Sequence, residues 1–188
     1  YIAEDGNNEP LIADLQQNPG VFHIVVMGDH QVHPLDFGEV DIEAPEGARL
    51  SLVSMLSCTN DGFVAVDSWP IPDGEGADFG TYTMDLNALD AGSEENTEKS
   101  VDFVDPCRGT TQTLEETSDD GNNRVPTFEP IHPHPGIKGI GDHPVAAYGW
   151  TDPTARVTIT AREGEATKDP PPNIEQAERT AWIAYVLG

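Results

Sequence analysis

A surplus of acid constrains this chain more than any other feature: 34 Asp and Glu stand against 9 Lys and Arg, a formal charge of −25 over 188 residues. A coat of that sign repels nucleic-acid phosphate, and with no basic cluster to offset it, nucleic-acid binding is excluded. The acids are spread along the whole sequence, and Lys99, Lys138 and Lys168 are the only lysines. Such a surface pushes itself apart at ordinary ionic strength, whereas at about 1 M salt the Debye length falls to ~3 Å and the repulsion is screened. The simplest reading is a protein of a halophilic organism, adapted to brine. A hydrophobic content of 37% still supports a buried core, and the length suits one domain. No apolar run approaches the ~20 residues that cross a bilayer, so no transmembrane segment is expected. With Tyr1 in place of a basic and apolar leader, the sequence reads as a soluble, mature or trimmed product.

The hydrophobic pattern is mostly of period two. The runs Val21 to Met27, Leu50 to Leu56, Phe63 to Trp69, Thr81 to Leu86 and Arg156 to Ala161 are short, β-branched or aromatic, and bounded by Gly, Pro, Asn or Asp. They predict strands, and with few helices between them an all-β, antiparallel sandwich. A short helix is expected over Asn8 to Leu15, with a capping Asn and an early Pro, stopped by Asn18-Pro19-Gly20. Ala91 to Val145 is a long Gly-, Pro- and acid-rich stretch in which Pro130 to Gly141 reads as a stiffened strap. After the spacer Lys168-Asp169-Pro170-Pro171-Pro172, Asn173 and Gln176 have capping-box spacing, and Glu175 stands four residues before Arg179. A terminal helix is expected over Ile174 to Leu187. Its apolar stripe would contain Trp182 and Tyr185, available to pack on its own domain or on a partner.

Cys58 and Cys107 are the only thiols, and their spacing leaves open a pair or two independent buried residues. If paired in a secreted protein, they would add on the order of 4 kcal/mol by the chain-entropy model. His30, His33, His132, His134 and His143 stand in Pro- and Gly-rich loops, where a transition-metal enzyme is the rival reading to ordinary loop histidines. HExxH, GxSxG, P-loop and GxGxxG motifs are all missing from the sequence. The expectation is a protein that is not an enzyme.

Four blocks occur in order: Leu52-Val53-Ser54-Met55 running into Thr59-Asn60-Asp61-Gly62-Phe63-Val64-Ala65-Val66-Asp67, then Leu89-Asp90-Ala91-Gly92-Ser93-Glu94, then Tyr148-Gly149-Trp150, then Ala155-Arg156-Val157-Thr158-Ile159. This set resembles the spondin domain, the module of F-spondin and mindin that also occurs in prokaryotic secreted proteins. There a segment like S-M-x-x-x-S-x-D-x-F-V-G-V precedes D-A-G-T-D or D-A-G-T-E, and A-R-V-T-I closes the domain. Ala3-Glu4-Asp5-Gly6-Asn7 looks like a block of the prokaryotic members.

The resemblance covers residues 3 to 162 and implies a C2-like antiparallel β-sandwich that binds calcium through Asp61, Asp90 and Glu94. Calcium is a hard cation taking six to eight oxygens, so carboxylates from two loops suit it. Animal members carry Asp where Glu94 stands, and the longer Glu side chain reaches further. A Cys58–Cys107 disulfide would tie the same two loops. The animal domains also have a longer amino-terminal part, so a sandwich built from this chain would keep an open edge unless another segment or a neighbour fills it. The domain is therefore placed at 1–162, followed by a spacer and helix at 163–188 outside the family pattern. These readings converge on an extracellular or cell-surface module that is structural or adhesive. Its expected partners are cell-surface or matrix components or copies of itself, as in a homo-oligomer, filament or virion surface. Thermal melting is expected to rise markedly between dilute buffer and about 3 M KCl; an unchanged melting temperature would contradict the brine reading.

Overall fold

The computed structural model describes residues 1–27, 32–45, 47–71, 81–103, 125–160 and 180–187, the last as backbone. Two short helices open the chain, α1 over Ile2–Asp5 and α2 over Glu9–Gln16. Gly6 ends α1 at φ 65°, and its N–H donates to the Ile2 carbonyl at 2.9 Å. Pro10 lies at the start of α2, where its missing N–H costs nothing. The strands follow: β1 Val21–Val26, β2 Arg49–Leu56, β3 Gly62–Pro70, β4 Thr81–Leu86, β5 Leu89–Asp90, β6 His132–Pro133, β7 Ala155–Thr160 and β8 Thr180–Leu187. A third short helix, α3, spans Val145–Tyr148. The protein is mainly β, with its five long expected strands present within a residue or two of their expected ends.

The strands form a six-stranded sheet in the order β1-β8-β2-β3-β5-β6 and a two-stranded sheet of β4 and β7. Pairings β2/β3, β3/β5, β5/β6 and β4/β7 are antiparallel. Leu50, Leu52 and Leu56 of β2, Val64 and Val66 of β3, and Leu86 of β4 make one buried cluster. Met84, Val157 and Ile159 pack against it from the smaller sheet. On β4 and β7, facing Asp85 and Arg156 form a two-pronged ion pair at 2.6 and 3.0 Å, and the guanidinium holds the Asp85 carboxyl below its usual range.

The β2/β3 register slips between Leu50 and Leu52, and Ser68 at the slip has φ 53°. The Ser51 hydroxyl accepts the Ser68 N–H at 3.0 Å, and the Arg49 guanidinium donates to the Ser68 carbonyl at 2.9 Å, so the bulge keeps its polar groups bonded.

The tail corrects the expectation of a terminal helix. Residues 180–187 are strand β8, parallel to both neighbours, with Trp182 opposite Ser51 and Ile24 and Tyr185 opposite Ser54. Trp182 and Tyr185 therefore do not lie on the face of a docking helix. The helix signals of Asn173, Gln176, Glu175 and Arg179 are local and fall on residues outside those described. The run itself holds Thr180, Trp182, Ile183, Tyr185 and Val186, which favour strands. Between β1 and β2 its N–H and C=O groups find partners on both sides. Those non-local bonds outweigh a modest helical propensity.

Truncating Leu50, buried to 1% exposure, is expected to cost ~2–5 kcal/mol in Leu50→Ala by urea unfolding in high salt. Leu35→Ala, at a fully exposed position, should stay within about 0.5 kcal/mol; equal losses would contradict the core assignment.

Candidate metal centre

The turn between β2 and β3 and the turn after β5 meet through one carboxylate. Asp61 is completely buried, and its Oδ2 accepts the Ser93 N–H at 2.7 Å, the Ser93 hydroxyl at 3.1 Å and the Glu94 N–H at 3.1 Å. Its carbonyl accepts the Ala91 N–H at 3.1 Å. Thr59 shapes the first turn: its hydroxyl donates to the Leu56 carbonyl at 2.6 Å and accepts the Gly62 N–H at 2.9 Å. Gly62 is required there, because a Cβ would lie 2.5 Å from the Thr59 hydroxyl.

Asp90 and Glu94 are buried as well, at 1% and 3% exposure. Asp90 Oδ1 accepts the Gly92 N–H at 2.8 Å, and Oδ2 accepts the Asn96 amide at 2.6 Å. The turn carries Gly92 at φ 66°, where a Cβ would sit 2.4 Å from the Glu129 carbonyl oxygen. Residues 125–129 run alongside it: Thr127 and Glu129 donate their N–H groups to the Ser93 and Gly92 carbonyls, both at 2.9 Å.

The three carboxylates expected from the sequence thus occupy two buried, interlocked turns. Asp61 Oδ1 is buried and accepts no hydrogen bond. Burial, then the charge of Asp90, push the Asp61 carboxyl upward against the pull of the Ser93 and Glu94 N–H groups. Among the described residues neither Asp61 nor Asp90 has a Lys or Arg partner; the His132 ring stands beside Asp90, with Nδ1 3.6 Å from Asp90 Oδ1. Among the same residues, no three of His, Cys, Asp and Glu form a ready-made metal cage.

The histidines do not gather into one centre. His30 lies outside the described residues, and His33 is exposed. His134 is buried beside the carboxylates, and its Nδ1 accepts the Gly136 N–H at 2.9 Å, which puts the proton of the neutral ring on Nε2. Burial lowers its pKa, while Asp90 and Asp61 raise it, and burial prevails. His143 belongs elsewhere. It is fully buried, its ring meets Phe103 edge-on with centroids 4.6 Å apart, and its Nδ1 lies 3.2 Å from Asp142. Partial burial pushes the Asp142 carboxyl up, but the Ser100 N–H and hydroxyl and His143 hold it below its usual range.

One supporting residue escaped the sequence reading. Glu98 is buried and left-handed at φ 54°, and its two carboxylate oxygens accept the Lys138 N–H at 2.5 Å and the Ile140 N–H at 2.8 Å. Its own N–H donates to the Asn60 side chain at 3.2 Å, next to Asp61. Nothing in the residue spacing marks it; its role depends on a loop 40 residues away. Cys58, three residues before Asp61, is disulfide-bonded, while Cys107 lies outside the described residues.

Comparisons with family models, with curated proteins and with solved structures return no significant match.

Glu98→Gln removes one of two carboxylate acceptors and turns an amide toward a backbone N–H. It is expected to lower stability by roughly 1–3 kcal/mol in urea unfolding. Lys99→Gln at the exposed neighbouring position should change it by less than about 0.5 kcal/mol. Equal stability of the two variants would contradict the supporting role of Glu98.

Proposed function

We propose that Asp61, Asp90 and Glu94 hold a calcium ion that joins the β2/β3 turn to the turn after β5, in a non-catalytic, extracellular surface module of a halophile with a spondin-type β-sandwich fold. The observation that carries this reading is Asp61: a carboxylate removed from water, with one oxygen bonded three times and the other without a hydrogen bond. Burying a carboxylate is costly unless a partner compensates it. A second and a third buried carboxylate nearby add like-charge repulsion that a divalent cation would relieve. The donor set fits, since all three side chains offer oxygen and calcium prefers oxygen. The ion would supply positive charge and a rigid link between two turns. The chain's own Ser93, Gly92 and Asn96 groups orient the carboxylates for it.

Two further observations support an extracellular setting. Cys58 is disulfide-bonded, which persists in oxidising compartments. The acidic surface is soluble in brine and available to matrix or cell-surface partners. His132, His134 and His143 fall into two separate environments, which favours the structural reading over the metalloenzyme.

With chelated protein in high salt, calcium at about 100 times its dissociation constant should stabilise the fold by ~2.7 kcal/mol. For a chain of this size that corresponds to a rise in melting temperature of roughly 5–11 °C. Asp61→Ala should fold less stably and show no rise. A wild-type melting temperature insensitive to calcium would overturn the proposal.

A further inference from the structure

Strand β8 is separated from β7 by a long stretch of chain, yet it is central in its sheet. It lies inside the six-stranded sheet, with eight residues of β2 paired to it on one side and four of β1 on the other. Without it, β1 and β2 would both present open edges in the middle of the sheet. The slot is therefore a receptor for a strand, and its bonds to the occupant run through the backbone. Any copy of residues 180–187 fits it in the same register.

Three features favour a second copy as the source. The 19 residues from Ala161 to Arg179 separate β8 from the end of β7. Extended, they reach about 60 Å, more than the ~40 Å breadth of a domain this size, which is long enough to deliver β8 to a neighbouring copy. Their Pro170-Pro171-Pro172 run is the composition of a stiff spacer rather than of a tight return. The segment Thr180–Leu187 contains no ionisable group except Tyr185, in a chain of charge −25. Faces coated with acid repel one another, so an uncharged strand entering a backbone slot is the mode of association that the coat opposes least.

We infer that residues 180–187 of one chain fill the slot between β1 and β2 of the next, so that copies join head to tail. Donor and receptor are different parts of the molecule, and such an interface continues into an open polymer unless its rotation closes a ring. This inference goes beyond the calcium reading and does not depend on it.

The test uses the full chain. Unlabelled and ¹⁵N-labelled Val53→Cys/Ala184→Cys proteins are mixed in equal amounts, unfolded, refolded together in about 3 M KCl and oxidised. Val53 and Ala184 are register partners on neighbouring strands, and neighbouring strands run about 4.8 Å apart, within the Cα separation that a disulfide spans. Exchange between copies predicts that about half of the linked peptide pairs join a light to a heavy chain, with a ladder of multimers on a non-reducing gel. The wild-type protein, which needs no variant to fold, should sediment as multimers that grow with concentration. Linked pairs of a single isotope only, no linkage, or a wild-type monomer at every concentration would each overturn the inference.

Discussion

The buried carboxylate of Asp61 is the constraint on which the rest of this structure turns. It sits where β2 gives way to β3, and it gathers three donors from the turn that follows β5. Those turns are 32 residues apart in sequence, so no local preference brings them together. Once they meet, Gly62 pairs with Asp90, Phe63 pairs with Leu89, and β5 joins the sheet. The extended residues 125–129 then bond to the same turn, and β6 adds to β5. One side of the large sheet is thus organised around a carboxyl group taken out of water.

The other side is organised around backbone. Bonds between β8 and its two neighbours need no special side chain, and they turn two open edges into a continuous ladder. The two halves share β2 and β3, whose Leu50, Leu52, Val64 and Val66 form the core against β4 and β7. A change at the carboxylate turns would loosen the β5/β6 end first, while a change in β8 would open the β1/β2 end. The net charge of −25 bears on both, since like charges on a surface repel and dissolved salt weakens that repulsion.

What the sequence made legible follows the range of the interactions. Val21–Val26 and Ala155–Thr160 read as strands because β-branched residues and bounding turn residues are local signals. The ordered blocks single out Asp61, Asp90 and Glu94 together, and in the structure the turn of Asp61 bonds to the turn that carries the other two. Glu98 was not, because its left-handed backbone and its bonds to the 138–140 loop leave no mark on its neighbours. The tail misled for the same reason. Capping letters and an i,i+4 charge pair are visible nearby, whereas parallel pairing of Val53 with Ala184 is visible only in three dimensions. His134 stood out as a histidine, but burial and the hydrogen bond at Nδ1 decide its chemistry.

Calcium content separates an ion-linked pair of turns from a pair held by hydrogen bonds alone. Protein purified in high-salt buffer and freed of loosely held ions by gel filtration should carry one calcium per chain by elemental analysis, and Asp61→Asn should carry none while keeping its β-rich circular dichroism. Folded wild-type protein without calcium, or a variant that retains a full equivalent, would contradict the account.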